Sequence, residues 1–244
     1  MMVGSVPRWI VNRRRDLGRF RPKNRDFYSK FSPPRALELE IRRVDDDDDH
    51  DPNGYCSIWK KRALASLIVQ NNLSRSVEIG VFKGSSFLPQ AVAMRRTGGT
   101  VTGIDPYDMS EWTQEEGTDK MEKVFGKNWQ SESTKIEWNY MYTYLLNRIA
   151  SYGIENHCNI IRGLSHNVAS DIEPGFHLLH IDGNHDYDAV AQDIELYVPL
   201  LADGGFLVLD DIDWPGVEPH YQDLKKRYPL VYEEPYSWGI LHKT

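Results

Sequence analysis

Residues His180 to Trp214, HIDGNHDYDAVAQDIELYVPLLADGGFLVLDDIDW, decide how the chain is read. The segment reads as strand, helix, turn, strand. His177 to Ile181, HLLHI, is an apolar run of the kind that forms a buried parallel strand, and it leads into Asp182. A helical period follows from about Asp188 to Leu201, with Val190, Ile194, Tyr197 and Val198 on one side. Asp203-Gly204-Gly205 supplies a turn, and Phe206 to Leu209 is a second buried strand that runs into Asp210-Asp211. In an open parallel sheet, ligands bind beyond the carboxyl ends of the strands. This one unit therefore brings three carboxylates to one sheet edge. They repel one another unless a cation neutralises them, and Mg²⁺ is suited to carboxylate oxygens.

Upstream, Ser76 to Ile79 forms a short strand leading into Gly80-Val81-Phe82-Lys83-Gly84-Ser85-Ser86. Gly80 permits a tight turn and Gly84 a close backbone approach to a ligand. A helix of about Ser86 to Arg96 then points its N-terminus at the ligand and favours negative charge there. The pattern Glu78-x-Gly80-x-x-x-Gly84 differs from the G-x-G-x-x-G of dinucleotide sites. A second strand, Thr100 to Ile104, ends on Asp105, about 20 residues past the loop, where an acid binds ribose hydroxyls. A turn cap is the bland alternative for Asp105. Loop and acid together favour a cofactor that contains a nucleoside.

The remaining elements complete one α/β domain. A helix of about Ser57 to Gln70 enters it, with Tyr55 and Trp59 at its start as pocket or packing residues. Pro106 to Trp138 shows no strand pattern and holds Trp112, Trp129 and Trp138. With its flanks, about 106–140, it reads as a lid over the strand ends. A helix from Tyr140 to about Ser151 and a third strand, Asn159 to Arg162, follow. Pro229 to Glu233 and Trp238 to His242 form an antiparallel pair at the far edge, which brings the strands to seven.

The totals narrow the class. A chain of 244 residues holds one α/β domain with an extension. A net charge of −7 argues against a nucleic-acid-binding surface. The two cysteines, Cys56 and Cys158, form no metal or redox motif and fit a reducing, cytoplasmic setting. No apolar run reaches the roughly 20 residues needed to span a bilayer. Residues 1–54 read as a separate extension, basic from Arg8 to Arg25 and acidic from Asp45 to Asp49. The simplest reading is a solvated, partly flexible arm with an acidic linker. A targeting segment, a membrane-surface patch and a homo-oligomer contact are the alternatives.

On the loop Val77 to Ser86, Asp105, Gly163 to Asn167 and the three strand-end aspartates, residues 55–244 resemble the class I S-adenosylmethionine-dependent methyltransferases. The likeness is to the methyltransferase 24 type and to the metal-dependent catechol and macrolide-sugar O-methyltransferases. It implies a Rossmann-like, doubly wound, mostly parallel sheet with an antiparallel C-terminal edge. It implies S-adenosylmethionine held by Glu78, Gly80, Phe82, Gly84, Ser86, Asp105 and Asp182, with Ser165 and His166 at the adenine. It implies Mg²⁺ or another divalent cation on Asp182, Asp210 and Asp211, and His185 as the base, three residues past Asp182. Two positions depart from the catechol enzyme: Asp211 replaces an asparagine ligand, and His185 replaces a lysine base. The expected reaction is methyl transfer to the hydroxyl of a small molecule, a sugar or a secondary-metabolite diol. A nicotinamide-dependent oxidoreductase, a non-catalytic protein of the same fold and a phosphoryl-transfer enzyme are the rivals.

Overall fold

The structure is a computed structural model that describes residues 25–48, 56–108 and 138–244. Seven strands form one sheet: β1 Arg75–Ile79, β2 Thr100–Asp105, β3 Cys158–Arg162, β4 Phe176–Ile181, β5 Leu201–Asp210, β6 Leu230–Glu234 and β7 Trp238–His242. Their order is β3-β2-β1-β4-β5-β7-β6. The first five are parallel, and β7 runs antiparallel to both β5 and β6. The direction of winding reverses between β1 and β4, which places the ligand crevice of a doubly wound sheet at their carboxyl ends. The mostly parallel sheet with an antiparallel edge is the fold the sequence implies.

The described helices are α1 Arg25–Lys30, α2 Arg35–Asp48, α3 Ile58–Gln70, α4 Phe87–Thr97, α5 Trp138–Tyr152, α6 Ser165–Val168, α7 Tyr187–Tyr197 and α8 Glu218–Arg227. Ser57 caps α3 by accepting the Lys60 N–H. Gly98, in the left-handed region at φ 73°, closes α4. One core cluster joins α1 to α5 to a sheet face through Phe27, Ile41, Leu64, Leu88 and Leu145. The other packs α7 and α8 on the opposite face through Val190, Tyr197, Tyr221 and Leu224.

Three expectations need correction. The stretch read as a solvated, partly flexible arm contains α1 and α2, and Phe27, Phe31, Leu37, Ile41 and Val44 are all buried. Phe27 packs against Phe31, Trp59 and Tyr232. The acidic run was expected as a linker, but Asp45 to Asp48 close α2 instead. Next, α7 stops at Tyr197, because Leu201 already pairs with Phe176 in the sheet. Asp203-Gly204-Gly205 then lies inside β5 as an irregularity: the partner of Phe176 is Leu201, while that of Leu178 is Phe206. Finally, α8 was not anticipated, since its ten mostly polar residues bury only Tyr221 and Leu224. Of the expected lid, residues 109–137 lie outside the described residues, as do Tyr55, Trp112, Trp129 and the basic residues Arg8 to Lys23. Among the described residues, no helix is long and apolar enough to cross a membrane.

Candidate active site at the strand ends

The loop after β1 is held from three sides. Gly80 has φ 84°, and a Cβ there would lie 2.0 Å from the Asp182 carbonyl oxygen, so only glycine lets the ends of β1 and β4 meet. At Gly84, a Cβ would come 2.5 Å from Leu145 of α5. The close approach expected there for a ligand is therefore made by a helix. The Asp105 carboxylate accepts the Val81 N–H at 3.0 Å, the Phe82 N–H at 2.8 Å and the Tyr107 N–H at 2.9 Å. Burial raises the pKa of Asp105, and these three N–H groups oppose the rise. The ribose candidate thus also braces the loop, and it fixes Phe82 at a positive φ of 46°. Beneath the loop, Glu78 is fully buried and accepts the Ser86 hydroxyl at 2.7 Å and the Gln90 amide. Two further cofactor candidates, Glu78 and Ser86, are therefore bonded to each other.

The strand-end aspartates converge with a residue that the sequence reading missed. Lys60, on the first turn of α3, places Nζ 3.3 Å from Asp182 and in direct contact with Asp210, with its side chain only 4% exposed. Burial works against the charge on Lys60, but Asp182 and Asp210 outweigh it and hold its pKa well above the usual lysine range. Within the carboxylate pair, burial and the neighbouring Asp210 push Asp182 up, while Lys60 overcomes the burial of Asp210 and holds it low. The pair titrates as one unit, with Asp210 its more acidic member beside the ammonium. The pattern carried one signal for this: Lys60, Lys61 and Arg62 stand together at the start of a helix whose middle is buried all round.

Asp211 turns a different way. It sits at φ 48°, and its carboxylate lies 3.1 Å from His185 Nε2. The His185 ring lies against Trp214, centroids 4.8 Å apart. Two overlapping groups of potential ligands result, His180–Asp182–Asp210 and Asp182–His185–Asp211, the ligand atoms of each lying within 4.8 Å of one another. A cavity of about 10 Å³ lies among Asp182, His185, Val190, Asp210 and Val217. That is room for one water or one bare cation, so an acceptor must sit outside it.

On the β3 side, Ser165 donates to Asp193 through its hydroxyl and accepts the Tyr197 hydroxyl on its carbonyl at 2.7 Å. Asp193 is buried, which pushes its pKa up to about 6. His166 is exposed on the first turn of α6. The structure therefore brings Glu78, Gly80, Asp105, Asp182, Asp210, Asp211 and His185 to the ends of neighbouring strands. It leaves Ser165 and His166 at the β3 flank.

A family model described as a methyltransferase domain matches residues 77–212. No curated protein sequence matches the chain. Several solved structures share the fold. PaMTH1, a methyltransferase from Podospora anserina solved with SAH bound, aligns over 100% of this chain and 99% of its own at 13% identity and a TM-score of 0.59. The O-methyltransferase TomG from Streptomyces achromogenes, solved with SAM, aligns over 89% of this chain and 94% of its own at 16% identity and a TM-score of 0.56. An O-methyltransferase from Bacillus cereus solved with SAH aligns over 88% and 93% at 15% identity and a TM-score of 0.53.

Proposed function

The chain belongs to the methyltransferase-domain family, and we propose that it moves the methyl group of S-adenosylmethionine to a hydroxyl oxygen of a small molecule. One observation carries this reading: the Gly80 loop and Asp182 abut at the switch point of the sheet, with Asp210, Asp211 and His185 beside them. A cofactor on the loop and a hydroxyl at the carboxylates would then be neighbours. A sugar diol or a secondary-metabolite diol is the acceptor class that suits such a site.

The cofactor supplies an electrophilic methyl group on a sulfonium: the methyl–sulfur bond breaks, the electron pair stays on sulfur, and a methyl–oxygen bond forms. The loop from Gly80 to Ser86 would hold its amino-acid end near the N-terminus of α4, where the helix dipole favours a carboxylate. Asp105 holds the loop and faces the ribose side. His185 takes the hydroxyl proton, and Asp211 keeps its ring in place. Alignment of the two reacting atoms is the main contribution of such a fold.

A divalent cation would find hard oxygens of the kind Mg²⁺ prefers on Asp182, Asp210 and Asp211, which are spread over the two overlapping groups. Bound there, it would act as a Lewis acid on the acceptor hydroxyl. Lys60 supports a second reading, in which its ammonium neutralises Asp182 and Asp210 and the reaction needs no metal.

Calorimetry with S-adenosylhomocysteine tests the function, with Asp105→Ala as the variant. Binding by the wild type, weakened at least tenfold in the folded variant, is expected. Binding of NAD in place of S-adenosylhomocysteine would overturn the proposal. Methyl transfer to a diol panel with EDTA and with Mg²⁺ then separates the two readings of the carboxylates.

A further inference from the structure

The cofactor loop has an anchor outside the residues that define the family. Asp48 is the last residue of α2, and α2 precedes the matched stretch entirely. Its carboxylate accepts the Ser85 hydroxyl at 2.6 Å. Ser85 lies in the loop between Gly84 and Ser86, and its oxygen also accepts the Cys56 N–H at 2.9 Å. Lys61 reaches the same carboxylate at 2.6 Å, and Arg148 of α5 donates to its other oxygen. Arg148 also donates to the Val44 carbonyl at 3.1 Å. Asp48 thus joins α2, α3, α5 and the loop at one buried point; it is 8% exposed, with Lys61 at 1%, Ser85 and Arg148 at 7%.

Helix electrostatics alone would not put this residue here. Asp45 to Asp48 occupy the C-terminal turn of α2, where the exposed carbonyls disfavour negative charge. A buried ion cluster is also weak evidence of stabilisation, since apolar residues of similar volume often do as well. What this carboxylate adds is direction. It takes a hydroxyl from the loop on one side and a guanidinium from α5 on the other. Leu145 of the same helix closes on Gly84, so the loop is gripped at two consecutive residues.

We propose that Asp48 is a positioning residue for the cofactor loop: through the Ser85 hydroxyl it sets the loop conformation that binds S-adenosylmethionine, which makes α2 part of the cofactor site. The inference rests on the methyl-transfer reading above.

The test measures S-adenosylhomocysteine affinity and melting temperature for wild type, Asp48→Asn, Ser85→Ala and the double variant. Ser85→Ala removes the loop side of the contact and keeps the ion pairs, so it serves even where Asp48→Asn folds poorly. Each single change should weaken binding about tenfold, within the usual range for coupling between sites. The double variant should be no weaker than the worse single one. KM for S-adenosylmethionine should rise with kcat kept. A purely structural role would lower the melting temperature and leave affinity in the folded fraction unchanged. Unchanged affinity in folded Ser85→Ala overturns the proposal, and so do effects that add in the double variant. A wild-type protein that binds no S-adenosylhomocysteine would overturn the cofactor reading and this inference with it.

Discussion

Lys60 and Lys61 are neighbours on one helix, both almost fully buried, and each neutralises a pair of aspartates. The two pairs differ in what surrounds them. Asp182 and Asp210 end adjacent parallel strands and border a small cavity, with Asp211 and His185 alongside. Asp45 and Asp48 lie in the last turn of α2, where Arg148 and Ser85 close over Asp48 while Asp45 stays partly exposed. The first cluster has room for another cation and lies where ligands bind. The second is complete without one. The same ion-pair chemistry thus serves a reactive site in one direction and a structural joint in the other.

Replacing each lysine in turn breaks the comparison most directly. Lys61→Met should have the largest effect, because it takes the ammonium from Asp45 and leaves the buried Asp48 to Arg148 alone among the described cations. The loss should be about 3–5 kcal/mol, as for other broken buried pairs. It should appear as a lower urea midpoint that Mg²⁺ or Mn²⁺ does not restore. Lys60→Met should cost less in EDTA, about 2–4 kcal/mol, because Asp182 and Asp210 can share one proton. Here divalent cation should restore much of the midpoint, and calorimetry should show Mn²⁺ bound more tightly than by wild type. Equal responses of the two variants to the cation would mean that the two clusters are not different in kind.

The first cluster was half legible in the sequence and the second was not. Asp182 and Asp210 announce themselves because apolar runs make strands, and residues at strand ends face the crevice. Their lysine is hidden, since it lies 122 and 150 positions away from them in the chain. It also sits in a Lys-Lys-Arg triplet that looks like a solvated face. The run Asp45 to Asp49 misled for a related reason: charge density suggests solvent, and only the packed fold shows Lys61 and Arg148 meeting it. Gly80 was read as a tight turn and Gly84 as a place where a ligand comes close, and neither reading says which part of the protein comes close. At Gly80 it is the end of β4, and at Gly84 it is Leu145. The mostly parallel sheet with its antiparallel edge followed from the strands and the family likeness together, whereas α8 was missed because its apolar face is only two residues wide.

Asp211 belongs to the first cluster but is paired with a histidine, which sharpens the contrast within the site. His185→Asn should preserve cofactor affinity and stability, since the ring is a half-buried partner of Asp211 and Trp214. It should lower kcat by about 10²-fold, the low end for a positioned base. Steady-state kinetics with a methylatable diol checks this. Wild-type kcat in the variant would remove His185 from the chemistry and leave Asp211 as the nearer candidate.

Asp193 supplies the control, a buried carboxylate whose partner is the Ser165 hydroxyl in place of a cation. Burial, opposed only in part by that hydroxyl, moves its pKa from 3.8 up to about 6. The folded chain therefore binds this proton more tightly than the unfolded chain does. The stabilisation that results is complete below about pH 4 and is lost as pH rises through about 6. Above that, Asp193 is an ionised group with no counter-ion among the described residues, the state that Lys60 and Lys61 prevent in the two clusters. Asp193→Asn keeps an acceptor for Ser165 and carries no charge. Its urea midpoint should match or fall slightly below that of wild type near pH 4. Relative to wild type it should gain between pH 4 and 6 and then level off, with an advantage of about 2–3 kcal/mol at pH 7. A difference between the two proteins that stays constant across this window would show that Asp193 does not titrate there. The need for a cation beside a buried aspartate would then not be general in this fold.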